Sequence, residues 1–307
     1  MNASRQPEEH DPPEPSQSTP DAQPSPKTSN SSMAQVDIAT RSYQGSDRPN
    51  NDDHYLVLRI ERSLETVLTN LPETVLPHRF DETAYGMLVA TGMGGMAGGQ
   101  MASALAVCKL IELVVNTPDW IMRMNRRKAA VVKQRMTERF RKIDEALKQH
   151  ARKHSSTVGV SVTLTVGCSL GNDLFLSHIG DSRAYLLRGD KLHQLTRDHT
   201  MAQALIDAGV GEAENTIVRG MRRVLTDALG ISLQVNPQVE HLQLCDGDEL
   251  LLCTGGFIET VDAEAVESIL RNASLAEEAC RALINITLGG DENATVILAR
   301  YHFPQAA

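Results

Sequence analysis

The chain has 307 residues, 41% hydrophobic and 22% charged, so most of it can bury the core of one or two domains. A net charge of −9 and a pI near 5.6 exclude a dedicated nucleic-acid binder. No uninterrupted apolar run approaches the roughly 18 residues of a membrane span, and Met1 to His10 lacks the apolar core of an export signal. Cys108, Cys168, Cys245, Cys253 and Cys280 are scattered and form no C-x-x-C pair, which fits free thiols in a reducing compartment. The expectation is a cytoplasmic protein with neither membrane nor nucleic acid as partner.

Residues 1–33 hold seven of the 13 prolines and no aromatic residue, so this Pro/Ser-rich stretch is expected to be a disordered tail. Its Thr19-Pro20 and Ser25-Pro26 pairs are either phosphorylation sites or a product of that composition alone. Residues 34–303 read as one folded domain. Gln35 to Tyr43 and Tyr55 to Ile60 read as strands around a polar turn, and Tyr85 to Ala90 as a third strand that runs into glycine-rich Thr91 to Gly99. A helix is predicted over Gln100 to Val115, so uniformly apolar that it should be buried, with Thr117-Pro118 as its stop.

Arg126 to Lys153 reads as a longer amphipathic helix, with Val132, Met136, Phe140, Ile143, Leu147 and Ala151 forming one apolar stripe. Eleven of the 30 lysines and arginines fall in it. They form a solvated outer face or a docking surface for an acidic partner or tail. Hairpin signals follow at Gly171-Asn172-Asp173 and Gly189-Asp190, flanked by Ser161 to Leu170, Leu174 to Ile179, Ala184 to Arg188 and Lys191 to Leu195. A helix around Met201 to Ala208, strands Val239 to Leu244 and Glu249 to Cys253, two short helices and a final strand, Ala294 to His302, complete the pattern. Antiparallel strands with helices bunched between them indicate an α+β layered fold.

Gly92-Met93-Gly94-Gly95-Met96-Ala97 satisfies G-x-G-x-x-A between a strand and a helix, the fingerprint of a dinucleotide-binding oxidoreductase. That fingerprint also calls for a parallel strand ending in an acid about 20 residues on. Here the segment is Asn116-Thr117-Pro118-Asp119-Trp120, followed by the basic helix.

A second reading uses more of the chain. Arg48-Pro49-Asn50-Asn51-Asp52-Asp53 resembles R-x-x-N-E-D, and the run from Thr91 to Ser103 resembles D-G-M-G-G-x-x-x-G-x-x-A-S. Gly180-Asp181-Ser182-Arg183 through Arg188, then Leu195-Thr196-Arg197-Asp198-His199-Thr200, resembles G-D-S-R-x-Y-L-x-R and L-T-x-D-H-S. Leu251 to Phe257 resembles L-L-C-S-D-G-L, and Gly290 to Thr295 resembles G-x-D-N-x-T. In this order the blocks resemble the metal-dependent protein phosphatases of the protein phosphatase 2C (PPM) family, from about Gln35 to His302.

The resemblance implies a four-layer αββα sandwich of two antiparallel sheets flanked by helices. It also implies two Mg²⁺ or Mn²⁺ ions holding a water that attacks a phosphoserine or phosphothreonine of a partner protein. Hard dications need oxygen ligands, mostly carboxylates, whose charge offsets the repulsion of the two ions. By the same resemblance, Arg48 is the phosphate-binding arginine, Asp53 a metal-site aspartate and Gly92 a backbone carbonyl donor. Asp181 matches an aspartate that holds an additional ion in some members. Thr91 stands where the family bridges both ions with aspartate, Gly255 where it has a second aspartate, and Glu292 where it has a third, with Asp291 beside it as a substitute.

Two of four metal-site carboxylates are thus missing and one is altered. Losing even an outer partner of a metal ligand costs about 10–100-fold in affinity or activity. The sequence therefore predicts an impaired phosphatase, a pseudophosphatase that binds phosphorylated segments in a Ser/Thr kinase pathway, with weak or single-ion metal binding through Asp53, Glu292 and Asp291. The alternative is an active enzyme with a rebuilt site. A nucleophilic hydrolase fits less well, because Gly180-Asp181-Ser182-Arg183-Ala184 lacks the second glycine of G-x-S-x-G. His54, His178 and His199 read as structural or exposed.

Overall fold

Apolar side chains alternate along the strands and so give each sheet two buried faces. The structure, a computed structural model, describes residues 34–69, 79–94, 98–116, 126–154, 159–211 and 215–303. The predicted tail, the Thr117-Pro118 stop and Gly95-Met96-Ala97 lie outside the described residues.

Among the described residues, ten strands form two sheets. The first runs β1 (Gln35–Tyr43), β10 (Ala294–His302), β9 (Glu249–Cys253), β6 (Arg183–Arg188), β7 (Lys191–Gln194). The second runs β2 (Asp53–Glu65), β3 (Arg79–Met93), β4 (Ser161–Leu170), β5 (Asp173–Ile179), β8 (Gln238–Gln243). Every pairing within them is antiparallel. The chain leaves β3 through α1 (Gly98–Val115) and α2 (Arg126–Lys153) and returns as antiparallel β4. This connection overturns the dinucleotide-binding reading, which requires a parallel crossover after the glycine-rich turn.

Period-two alternation sorts the core into layers. Met87 and Val89 of β3 face Leu250 and Leu252 of β9 and Ile297, Ala299 and Tyr301 of β10 between the sheets. The intervening Leu88 and Ala90 turn outward onto Ala102, Ala106 and Leu110 of α1 and Phe140, Ile143 and Leu147 of α2. On the other side, Leu251, Cys253, Val296 and Leu298 meet α5 (Gly255–Thr260), α6 (Ala263–Asn272) and α7 (Ala276–Thr287) through Phe257, Leu270 and Leu283. The result is the expected αββα sandwich. Each fully buried large apolar side chain contributes about 1.5–3 kcal/mol.

Two expectations need correction. Helix α1 is not buried all round: Ala102, Ala106 and Leu110 are buried, but Met101 and Val115 are exposed. Only one flank of a helix laid on a sheet can be covered by that sheet, and α2 covers a second. By length and composition α1, with a mean hydropathy of 1.4 over 18 residues, could also cross a bilayer. Its packing on β3 and α2 accounts for that composition as a core helix. Between β9 and β10 there are three helices, one more than the two short ones read from the sequence. In addition, α4 (Thr216–Gly220), which follows α3 (Met201–Asp207), carried no periodic signal because it is a single turn capped by Asn215.

Candidate functional site

The site lies where strand ends from both sheets converge. Asp53 opens β2 and pairs in register with Thr91 near the end of β3. Thr254 follows β9, and Thr295 is the second residue of β10. These four side chains form one hydrogen-bonded group. The Thr91 hydroxyl donates to Asp53 Oδ1 at 2.7 Å, while those of Thr254 and Thr295 donate to Oδ2 at 2.8 and 2.7 Å. Asp53 is only 6% exposed. Burial raises its pKa and the three hydroxyl donors oppose that shift.

Above this group is a cleft of about 370 Å³, lined by Arg48, Asp52, Thr91, Gly92, Asp181, Arg223, Gly255, Glu259 and Glu292 among others. Of the residues singled out in the sequence, Arg48, Thr91, Gly92, Asp181, Gly255 and Glu292 therefore meet in one cleft. Asp53 lies beneath it, hydrogen-bonded to the three threonines. Asp291 is outside the lining and accepts from the Ser46 hydroxyl at 3.2 Å.

Two glycines fit this geometry for steric reasons. A Cβ on Gly92 would lie 1.8 Å from the Gly99 carbonyl oxygen at the start of α1, so the close approach of β3 to that helix admits no side chain. A Cβ on Gly255 would lie 2.6 Å from Asp181 Oδ2. The Asp181 carboxyl thus occupies space that a side chain at position 255 would enter.

Two acids of the cleft, Asp181 and Asp52, are poorly compensated. Burial, followed by the nearby Asp198, Glu259 and Asp53, pushes Asp181 up to about 7. Burial also raises Asp52, against a hydrogen bond from the Gln100 backbone and the nearby Arg48. Asp52 Oδ1 is buried without a hydrogen-bond partner. Glu292 is instead engaged by two arginines: Arg48 Nη2 donates to its Oε2, and Arg223 Nη1 lies 3.3 Å from its Oε1.

This donor set does not fit a two-metal centre. The Thr91 and Thr254 hydroxyl protons point at Asp53, Gly255 offers no side chain, and Glu292 is paired with guanidiniums. Among the described residues no three His, Cys, Asp or Glu side chains gather around a point where an ion would sit. The predicted single-ion set of Asp53, Glu292 and Asp291 is thus not assembled, because each acid is taken by a different partner.

The neighbouring Gly-Asp-Ser-Arg block is intact as structure. Arg183 forks onto Asp198, with Nε and Nη2 at 2.8 and 2.7 Å, and its Nη1 donates to the Tyr185 hydroxyl at 2.9 Å. Ser182 bonds Thr163 in the core. His54 meets Ser103, His178 meets Thr165, and His199 accepts from the Gly180 N–H, all structural contacts. Burial pushes His178 down to about 3.

Sequence reading missed Asp52, Thr254, Thr295, Arg223 and Glu259. Thr254 and Thr295 lie inside blocks already recognised, where only carboxylate positions were read. The available signal was physical: a buried carboxylate without a cation needs donors, and threonines at adjacent strand ends supply them. Arg223 and Glu259 belong to no motif.

A family model described as protein phosphatase 2C matches residues 109–288. The chain is 34% identical over 217 residues to the serine/threonine protein phosphatase PstP of Mycobacterium tuberculosis, covering 69% of this chain and 40% of that protein's length. It is 26% identical over 221 residues to the serine/threonine phosphatase stp of Listeria innocua, 85% of which is covered. The crystal structure of M. tuberculosis PstP superposes with a TM-score of 0.70 at 28% identity, over 87% of this chain and 99% of that one. The PstP catalytic domain solved with two manganese ions superposes at 0.67 with 28% identity, over 88% of this chain and all of that one (100%). The motif blocks, the two antiparallel sheets with their flanking helices, and the matched family model agree: this chain belongs to the protein phosphatase 2C family.

Proposed function

We propose that this chain is a pseudophosphatase, a PPM-type serine/threonine phosphatase fold that binds phosphorylated protein segments while hydrolysing them little or not at all. The observation that carries this reading is Thr91 donating to Asp53. The residue at the family's bridging position serves the remaining carboxylate internally, and a hydroxyl is a weak neutral ligand for a hard dication. Arg48, at the cleft wall, is the group that would hold the phosphoryl oxygens. The partner is a phosphoserine or phosphothreonine protein of a kinase pathway. The five free thiols fit a reducing, cytoplasmic setting.

One observation favours a second reading. Asp52 Oδ1 is buried, unpaired and in the cleft lining, and a cation would satisfy it. A single weakly held Mn²⁺ or Mg²⁺, with residual turnover, follows from that.

Fluorescence anisotropy with a labelled phosphothreonine peptide tests the first reading. Binding in the presence of EDTA, lost in Arg48→Gln, supports it. Binding that requires Mn²⁺ and ends in release of phosphate overturns it.

A further inference from the structure

Arg223 reaches the cleft from the stretch just after α4, where no phosphatase motif lies. Its guanidinium forks onto Glu259 of α5, with Nε donating to Oε1 at 2.7 Å and Nη2 to Oε2. The third nitrogen, Nη1, lies 3.3 Å from Glu292 Oε1. The other oxygen of Glu292 accepts from Arg48 Nη2. One carboxylate therefore joins two guanidiniums that arrive on different loops, and all three groups line the same cleft.

We propose that Arg48 and Arg223 together form a seat for a phosphoserine or phosphothreonine side chain, and that Glu292 fills this seat at rest as a built-in phosphate mimic. The proposal rests on the phospho-binding function above and adds the second arginine and the internal competitor.

The geometry supplies the reasons. A phosphoryl group offers three acceptor oxygens and close to two negative charges, where Glu292 offers two oxygens and one charge. Two guanidiniums that already converge on a pair of oxygens can take a pair of phosphoryl oxygens with little rearrangement. Arg223 remains forked on Glu259 when Glu292 leaves, so its free nitrogen keeps its direction. Displacement is feasible because the resting pairs are not dry: the side chains of Arg48, Arg223 and Glu292 are 43%, 67% and 27% exposed. Ion pairs in such positions hold weakly.

The glutamate matters by length. It is one methylene longer than the aspartate the family places there, which carries its carboxylate out to the two arginines. It also filters ligands. An aspartate or glutamate from a partner gains nothing over Glu292, whereas a phosphorylated residue does, so the cleft reads phosphorylation and not acidity.

The test is anisotropy with the full chain, using a labelled phosphoserine peptide, the same peptide unphosphorylated, the same peptide with aspartate at that position, and inorganic phosphate as competitor. Glu292→Gln should tighten phosphopeptide binding about three- to tenfold, and Arg223→Gln should weaken it by a similar factor. Glu292→Gln should also let the aspartate peptide bind measurably, while the unphosphorylated peptide stays unbound. Glu292→Ala gives the same direction through a second variant.

Unchanged or weaker phosphopeptide binding in both Glu292 variants overturns the proposal. If Arg223→Gln has no effect while Arg48→Gln abolishes binding, the two-arginine seat is wrong and phospho-binding by Arg48 stands. If neither the wild type nor Glu292→Gln binds phosphopeptide, both readings fall together. Tightening for inorganic phosphate alone overturns the assignment to a phosphoprotein.

Discussion

The Thr91 hydroxyl donates to Asp53 Oδ1 at 2.7 Å, and with Thr254 and Thr295 it satisfies a carboxylate that the motif resemblance assigns to a metal site. Where an ion would offset negative charge, three neutral hydroxyls from the ends of three strands supply hydrogen bonds instead. The fold at this point is held by its own side chains.

Removing one donor from Asp53 should be costly. Thr295→Val deletes one hydroxyl and leaves a buried carboxylate short of a partner, with an expected loss of about 1–3 kcal/mol in urea unfolding. Thr254→Val should cost about as much, because the Thr254 hydroxyl also accepts from the Thr295 backbone N–H at 3.0 Å, just as the Thr295 hydroxyl also meets Ser42 Oγ at 2.8 Å. Equal stability of both variants and the wild type would contradict this.

Thr91→Asp places a second carboxylate against Asp53. In metal-free buffer it should destabilise the fold by on the order of 3 kcal/mol, since two adjacent buried acids cannot both ionise cheaply. A thermal-shift titration should show part of that loss recovered by Mn²⁺ in the variant and not in the wild type.

Asp181 sets a pH dependence. Its pKa is raised from an ordinary 3.8 to about 7 in the folded protein, so between those values the folded state binds the proton and the unfolded state does not. Its contribution to stability is full below the unfolded pKa, declines as pH rises and is lost above about 7. Denaturation midpoints should therefore fall between pH 5 and pH 8. Asp181→Asn should flatten that slope and stabilise the protein at pH 8 by on the order of 2 kcal/mol. An unchanged slope in the variant would contradict the assignment.

How much of this was legible in the sequence depends on range. Strands β1, β4, β9 and β10 begin and end where alternation and the Gly/Asp turns place them. Strands β2 and β3 run well beyond Tyr55 to Ile60 and Tyr85 to Ala90, because charged residues such as Glu61, Arg62 and Glu82 continue an antiparallel ribbon that apolar patterning does not mark. At the site, the motif blocks named the positions that converge, including Arg48, Thr91, Gly255 and Glu292. They could not say what those side chains do without metal, because the partners of Asp53 and Glu292 are Thr254, Thr295 and Arg223, distant in the chain and chosen by packing.

The Arg183–Asp198 fork should be structural. Arg183 is held at both edges by Asp198 and Tyr185, and lysine cannot reproduce a planar bidentate contact. Arg183→Lys should lose about 2–4 kcal/mol of stability with no new metal dependence, checked by chemical denaturation with and without Mn²⁺. A neutral substitution would contradict this role.

The most direct measurement is Mn²⁺ titration calorimetry paired with phosphate release from a phosphothreonine peptide, for the wild type and for Thr91→Asp with Gly255→Asp. A side chain at position 255 requires Asp181 to swing aside, since a Cβ there meets its Oδ2 at 2.6 Å. The wild type should show weak or single-ion binding and little or no turnover, and the double variant stronger Mn²⁺ binding and measurable turnover. Metal-dependent turnover by the wild type at ordinary enzyme rates, on the order of 1–1,000 per second, would contradict this.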